Sequence, residues 1–571
     1  MTVRASEHEE LLFVPLGGSG EIGMNLNLYH YAGAWLMVDL GITFADASDP
    51  GIDVVMPDPA FIVERRQRLS GLILTHAHED HLGAVPYLWP QLECPIYATP
   101  FTAAILRAKL VEVEWGHRVR LIEVPLGGRV QVGPFDVQFL SITHSIPESN
   151  ALAIRTPAGN ILHSGDWKLD PDPLLGEATN RESFAAFGRE GVLALVCDST
   201  NVFERGRSGS EAAVAASLAD LIASRRGRVA VATFASHLAR VQTVARIARA
   251  LGRETALVGR SLWRTVTAAR ETGYLQDAPR FLSDDEAAYL PPDKVLFICT
   301  GCQGEPMAAM ARIAGEAHPH VVLEEGDTAI FSSKVIPGNE RPIAAVQNRL
   351  IAKGVEVIGE RDHFVHVSGH PARDELADMY GWIRPRISIP VHGEARHLAE
   401  HAKFALSLQV AKALAPANGT LVRLSADGAQ VVDYVPVGRL VLDGDRLLPA
   451  ESEVLRERRR MAVAGHIVAT LVLTRQGELA AAPRIAMAGI VDEDLSGVGG
   501  EAKLGLALGE DVARLPALTR RDDDRLEEAI RRALRQRLKE HTGKRPTIRV
   551  EIVRLGEAVR AAAREHHARS K

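Results

Sequence analysis

Between Thr75 and His81 the chain reads THAHEDH, which places His76, His78, Asp80 and His81 within six residues, directly after the apolar run GLIL. Three imidazoles and a carboxylate this close cannot all face one ion from an extended backbone, but a loop can divide them between two adjacent ions. A pair of divalent metals is therefore the natural reading. Such a pair generates a nucleophile from water near neutral pH and clamps phosphate oxygens during in-line displacement. Three further candidates lie downstream, each ending an apolar strand pattern: His144 in SITHS, Asp166 in HSGDW and His392 in PVHGE. Singly each is weak, because a lone buried histidine is more often a hydrogen-bonded core residue. With the first cluster they complete two coordination shells.

The elements that must position these groups show in the surrounding pattern. The opening run LLFVPLGGSGEIGMNLNLYHYAGAWLMVDLG reads as strands broken by a glycine-rich turn, with Asp39 at the end of an apolar strand. GLILTHAHEDHLGAVPYLW reads as a buried strand, a loop and a helix. Strands PIYAT, VQFLSITHS, ALAIRTP, NILHSGD and ALVCDST follow, up to about Asn201. From about Arg205 helices and strands alternate: a helix over 211–223, RVAVATF, a helix over 238–251, TALVG, VLFICTG and a helix over 306–314. That regularity predicts an inserted doubly wound unit reaching about Gly354. RISIPVHGE then reads as the first domain resuming. Beyond about Pro449, HIVATLVL, RIAMAGIV, TIRVEIVRL and a helix over 524–540, with Leu526, Ile530, Leu534 and Leu538 at four-residue spacing, predict a small α+β domain. The expected division is 1–205 and 356–449 for the first domain, 206–355 for the insertion and 450–571 for the last.

Composition narrows the function classes. At 571 residues the chain exceeds one hydrophobic core, and ~100–200 residues per domain implies three or four units. Hydrophobic residues at 46% and charged residues at 24% exclude a disordered chain. No apolar stretch approaches ~18 residues and the polar, acidic start carries no leader pattern, so the expected place is the cytoplasm, with no membrane. Four cysteines (Cys94, Cys197, Cys299, Cys302) are too few for a disulfide scaffold, and the lone CxxC of Cys299 and Cys302 lacks the second pair of a zinc site. The net charge of −6 argues against indiscriminate coating of nucleic acid. Residues 520–571 nonetheless carry +7 against −13 in the remainder, which fits an arginine-rich solvated helix face at least as well as RNA contact.

The order HAHEDH, a histidine, SGD and PVHGE, with an insertion before the last, resembles the metallo-β-lactamase nucleases that carry a β-CASP insertion. GGSGEIGMN, GIDVVMPD, CDSTN, GCQGEP, GDTAIFSSKVIPGNE and HVSGH extend the resemblance to the ribonuclease J family over the whole chain. It implies an α/β fold: a metallo-β-lactamase αββα sandwich with an inserted β-CASP (doubly wound α/β) domain and a small α+β C-terminal domain. It also implies that His76, His78 and His144 hold one metal, that Asp80, His81 and His392 hold the other, and that Asp166 bridges. Two zinc ions suit the imidazole-rich set, with manganese or magnesium as alternatives. Asp39 matches the family's strand-end acid, which would orient a ligand histidine; as a plain residue it would only end a strand.

Cleavage also needs the leaving 3′-oxygen protonated or held by a metal, and a histidine outside the metal shell suits that task. His370 in HVSGH is the candidate, and the resemblance pairs it with Asp198 of CDST. The implied catalytic set is then Asp80, His370 and Asp198. A 5′-monophosphate pocket is implied as well, with Ser236 and His237 of FASH and His366, Ser368, Gly369 and His370 of HVSGH as its donors. GCQGEP is a second glycine turn that could cradle phosphate or be plain architecture.

The implied activity is hydrolysis of RNA phosphodiester bonds, 5′→3′ from the end and also internally, leaving 5′-phosphates, in RNA processing (including rRNA maturation) and mRNA decay. The implied partners are RNA with 5′-monophosphate ends, further copies of the chain in a homodimer or homotetramer joined through the C-terminal domain, and an RNA-degrading complex. Two other readings differ in class. A catalytically silent RNA-binding or assembly subunit would lack a ligand, and none is missing. A small-molecule metallo-hydrolase would share the metal core but has no use for the insertion or the SGH and DST elements.

Overall fold

The computed structural model describes residues 9–45, 49–490 and 500–556. The chain divides into two compact units, Met1–Thr43 with Val55–Arg439, and Phe44–Val54 with Leu440–Lys571.

In the first unit, two sheets face each other. One has eight strands, in which Leu11–Gly17, Leu26–Tyr31, Ala34–Val38 and Leu69–Ile73 are consecutive neighbours. The other has seven, including Phe135–Ser141, Asn150–Thr156, Gly159–His163, Val192–Asp198 and Ile387–Val391 in that spatial order. Side chains alternate across each strand. Leu152 and Ile154 therefore join Phe13, Tyr29, Val38, Phe135 and Val196 in the core between the sheets. Ala151 and Ala153 turn outward, to pack with Phe184 and Phe187 of helix Arg181–Arg189 and Leu376 and Met379 of helix Arg373–Ile383. Helices covering the outside of paired sheets make the layered αββα arrangement.

Between Val192–Asp198 and Ile387–Val391 the chain leaves the sandwich and returns. The two strands are nonetheless adjacent and parallel, with Ala194 opposite Ile387 and Asp198 opposite Val391. The excursion builds its own all-parallel sheet of five strands, in the order Glu254–Val258, Val295–Cys299, Val229–Ala232, Thr328–Phe331, Glu356–Ile358. Helix Glu211–Ala223 starts at Ser210, whose side chain accepts from the Ala212 N–H. Helix Leu238–Ala250 follows the FASH turn at the carboxyl end of the central strand.

The second unit carries a three-stranded sheet with His466–Leu473 between Arg484–Ala488 (antiparallel) and Thr547–Arg554 (parallel). Helix Asp523–Thr542 is capped by the Asp522 carboxylate and ended by Gly543 at φ +67°. The four-residue spacing read from the sequence is its buried stripe: Leu526, Ile530, Leu534 and Leu538 join Ile467, Ala469, Leu471 and Leu508 in one core. Residues 557–571 of the basic tail lie outside the described residues. Among the described residues no helix is long and apolar enough to cross a membrane. Because Leu534 is fully buried at the centre of this core, Leu534→Ala should lower the unfolding free energy of the unit by about 2–5 kcal/mol; urea denaturation followed by circular dichroism checks it.

Candidate metal centre

The singled-out residues of the sandwich cluster at strand carboxyl ends on one edge of the two sheets. Asp39 follows Ala34–Val38, and the loop with His76 and His78 follows Leu69–Ile73. A single helical turn, Glu79–Leu82, then presents Asp80 and His81. His144 follows Phe135–Ser141, Asp166 follows Gly159–His163, Asp198 ends its strand and His392 follows Ile387–Val391.

Among the described residues, potential ligand atoms fall into a group of His76, His78 and His144, a group of Asp80, His81, Asp166 and His392, and a third of Asp166, Asp198, His370 and His392 that shares two members with the second. In the first, His78 Nδ1 lies 3.0 Å from His76 Nε2 and 3.1 Å from His144 Nε2. The far nitrogens settle which atoms carry protons. His144 Nδ1 lies 2.6 Å from the Gly369 carbonyl, which can only accept, so Nδ1 holds the proton and Nε2 is a bare lone pair. Thr75 Oγ1 donates to Asp39 Oδ2 (2.8 Å), so it must accept from His76 Nδ1 at 3.0 Å, which bares Nε2 there too. Burial, then the neighbouring imidazoles, hold His76 and His144 well below the usual histidine range. Burial likewise pushes His78 down to about 4. Nitrogens bound at ~2.0–2.1 Å to a tetrahedral zinc sit roughly 3.3 Å apart, close to the spacing here. The donor set thus fits a cation.

In the second group, His81 Nε2 is 3.1 Å from Asp166 Oδ2 and 3.5 Å from Asp80 Oδ2, and His392 Nε2 is 3.4 Å and 3.8 Å from the same two oxygens. Their far nitrogens are tied as well. His81 Nδ1 donates to Asp39 Oδ2 at 2.7 Å, and His392 Nδ1 donates to Asn25 Oδ1 at 2.9 Å. Burial opposes ionisation of Asp80 and Asp166, yet the facing histidines hold both below the usual carboxylate range. Asp39, fully buried, also accepts from the Thr75 N–H at 2.8 Å and so fixes the start of the histidine loop. Burial would lower the His81 pKa, but Asp166, Asp80 and Asp39 raise it well above the usual histidine range. A cation bound in these positions would therefore displace the proton that His81 shares with Asp166 and meet two carboxylates and two imidazole nitrogens, a set that suits zinc and also manganese.

His370 lies beside both groups. Its Nδ1 donates to Asp198 Oδ2 at 2.7 Å, and its ring stacks on His392 at 5.6 Å. Burial would lower its pKa, but Asp198, helped by Asp166 and Asp80, raises it to about 9. Asp198 Oδ1 accepts from Thr200 N (2.9 Å) and Thr200 Oγ1 (2.7 Å), which fixes the carboxylate's rotamer.

The pocket candidates are placed less uniformly. Ser236 is partly exposed. His237 is buried, with Nε2 3.2 Å from Glu211 Oε1; among the described residues its Nδ1 has no partner, and neither has the buried Nδ1 of His366. Arg240, fully buried, joins the two segments by donating to Val365 O (2.6 Å) and Glu211 Oε2 (2.7 Å). Ser368 accepts from Asn201, and the Gly369 carbonyl is taken by His144. Neither thiol of the CxxC is exposed, and burial pushes Cys302 up to about 12. GCQGEP is filled by protein: Gln303 donates to Lys334 O at 2.8 Å, and a Cβ on Gly304 would stand 2.5 Å from Pro342 C.

Sequence reasoning passed over Asn25, Thr200, Asn201, Glu211 and Arg240. Asn25 ends the quoted run GGSGEIGMN, and a polar residue between Met24 and Leu26 was its only signal. Thr200 acts on Asp198 two residues before it, and Asn201, Glu211 and Arg240 act through partners distant in sequence.

The sequence matches the families described as "Ribonuclease J, beta-CASP domain" over 226–350, "Ribonuclease J C-terminal domain" over 453–555, "Beta-lactamase superfamily domain" over 48–184 and "Zn-dependent metallo-hydrolase RNA specificity domain" over 354–407. The protein named Ribonuclease J from Sinorhizobium meliloti is 44% identical over 554 residues, covering 96% of this chain and 98% of its own. Its namesake from Corynebacterium glutamicum is 38% identical over 544 residues, 94% of this chain and 75% of its own. A crystal structure of a protein of unknown function from Enterococcus faecalis shares the fold at a TM-score of 0.50 and 18% identity, over 73% of this chain and 100% of that one.

Asp39→Asn would keep the shape but weaken the grip on His81 and Thr75. It should weaken divalent-metal binding about 10–100-fold, measured by competition with a chromophoric chelator.

Proposed function

The chain belongs to the ribonuclease J family, and on that premise we propose that it is a two-metal ribonuclease that degrades RNA 5′→3′ from monophosphorylated ends and also cuts internally. The observation that carries this reading is the convergence of five histidines and two carboxylates in adjacent groups, with the far nitrogens of His76, His81, His144 and His392 each held by a partner. Zinc is the metal proposed, with manganese or magnesium as alternatives. When bound, such ions supply a nucleophile from water and neutralise charge on the phosphate oxygens.

The protein's own groups divide the remaining work. His76, His78 and His144 would hold one ion, Asp80, His81 and His392 the other, with Asp166 bridging. His370 Nδ1 is committed to Asp198, so Nε2 is the nitrogen left to hand a proton to the leaving 3′-oxygen. Ser236, His237, His366 and Ser368 would receive the 5′-phosphate; the unpartnered buried nitrogens of both histidines support this, since such groups ordinarily find a partner. Gly369 serves by its lack of a side chain: a Cβ would stand 2.8 Å from His144 Cε1. The proposal extends to a role in cytoplasmic RNA maturation, including that of rRNA, and in mRNA decay, as a dimer or tetramer joined through the C-terminal domain.

Metal removal by EDTA should abolish cleavage of a labelled RNA, and Zn2+ or Mn2+ should restore it. Failure of Zn2+, Mn2+ and Mg2+ alike to restore it would overturn the reading. Asp80→Ala should lower kcat/KM by about three orders of magnitude, or ~4 kcal/mol, and His370→Ala should lower kcat by about 10²–10⁴. In a gel assay, RNA with a 5′-monophosphate should be degraded faster than the same RNA with a triphosphate. Equal rates would remove the pocket while sparing the nuclease.

A further inference from the structure

We propose that Asn201 is a positioning residue that makes Ser368 a hydrogen-bond donor toward the 5′-phosphate and ties that contact to the backbone of His370. The inference rests on the reading of HVSGH as a phosphate-holding segment. Asn201 is buried, three residues beyond Asp198. Its Nδ2 lies 3.0 Å from the His370 carbonyl oxygen and 2.7 Å from Ser368 Oγ. A carbonyl can only accept, so the atom facing it must be the amide nitrogen, and the amide's orientation is settled without reference to Ser368. The same nitrogen then donates to Ser368 Oγ.

Ser368 Oγ also accepts from the His370 N–H, at 3.2 Å. A hydroxyl has two lone pairs and one hydrogen. Both lone pairs are engaged, and among the described residues no acceptor is recorded for the hydrogen. Ser368 is partly exposed, so the O–H remains to be offered to whatever occupies the site. A phosphate oxygen, which only accepts, is the complement. Without Asn201 the hydroxyl is free to present a lone pair instead, which a phosphate would repel. The amide that sets this polarity also holds the backbone of the residue whose ring bonds Asp198. Residues 198–201 therefore grip the SGH turn at the His370 ring, the His370 carbonyl and the Ser368 hydroxyl.

The test uses the full-length, metal-loaded protein and one RNA bearing either a 5′-monophosphate or a 5′-hydroxyl, and reads the ratio of kcat/KM for the two ends. Asn201→Leu keeps the volume, removes the donors and adds no charge. It should cut the ratio about tenfold, chiefly through KM, on the scale of one charge-assisted hydrogen bond. Ser368→Ala should do likewise, and the double variant should fall no further than Ser368→Ala alone. An unchanged ratio in Asn201→Leu, with kcat lowered equally on both ends, would reduce Asn201 to a structural tie and overturn the proposal. So would a double variant that falls by the product of the singles. A wild-type protein that does not distinguish the ends would instead sink the phosphate-pocket reading, and the proposal with it. If melting curves show that Asn201→Leu does not fold, Asn201→Asp serves. Its carboxylate would draw the Ser368 hydrogen inward, so the ratio should fall more in the Ser368 background than in the Ser368→Ala background; equal falls in both would overturn the proposal.

Discussion

Carboxylates and imidazole lone pairs crowded into a buried site are unfavourable without positive charge between them, and the candidate centre gathers three imidazoles in one group and two carboxylates facing two imidazoles in another. What keeps four of the five imidazoles from rotating away is that the far nitrogen is already used. The Gly369 carbonyl holds His144, Thr75 holds His76, Asp39 holds His81 and Asn25 holds His392. Divalent cations turn this convergence from a cost into a binding site. The surrounding fold exists, in energetic terms, to keep the far nitrogens occupied.

That demand reaches the backbone. Asp39 and His392 both adopt left-handed conformations, at φ +63° and +52°, in which side chains other than glycine, asparagine and aspartate are uncommon. Gly41 passes so close to the helical turn bearing Asp80 and His81 that a Cβ would stand 1.7 Å from the Asp80 carbonyl oxygen. Such conformations cost about 1–3 kcal/mol each. They persist because each lies next to a strand held on both sides in a sheet: Ala34–Val38 before Asp39 and Ile387–Val391 before His392.

The inserted sheet is joined to the sandwich by buried charge. Lys168, two residues after Asp166, pairs with Asp170 at 3.0 Å, and Asp170 accepts from the Glu211 N–H at 2.9 Å. Glu211 meets His237 and Arg240, and Arg240 reaches the segment that leads to His366. Burial opposes ionisation of Glu211, but His237 and Arg240 hold it well below the usual carboxylate range. Removing one member of such a network strands its partner's charge, so the network specifies a geometry more than it adds stability.

Local patterning made much of this legible. Apolar runs marked the strands of the sandwich, the four-residue spacing of Leu526, Ile530, Leu534 and Leu538 marked a buried helical stripe, and HAHEDH displayed its ligand chemistry in adjacent letters. The sequence alone therefore determined the element types and the kind of atom offered to a metal, because both depend on near neighbours in the chain. It could not reveal that Asn25 faces His392, that Asn201 orients Ser368, or which nitrogens of His76 and His144 are bare. Those facts depend on which strands become neighbours across a long excursion, as Val192–Asp198 and Ile387–Val391 do, and on hydrogen bonds between groups that only the packed sheets bring within 3 Å.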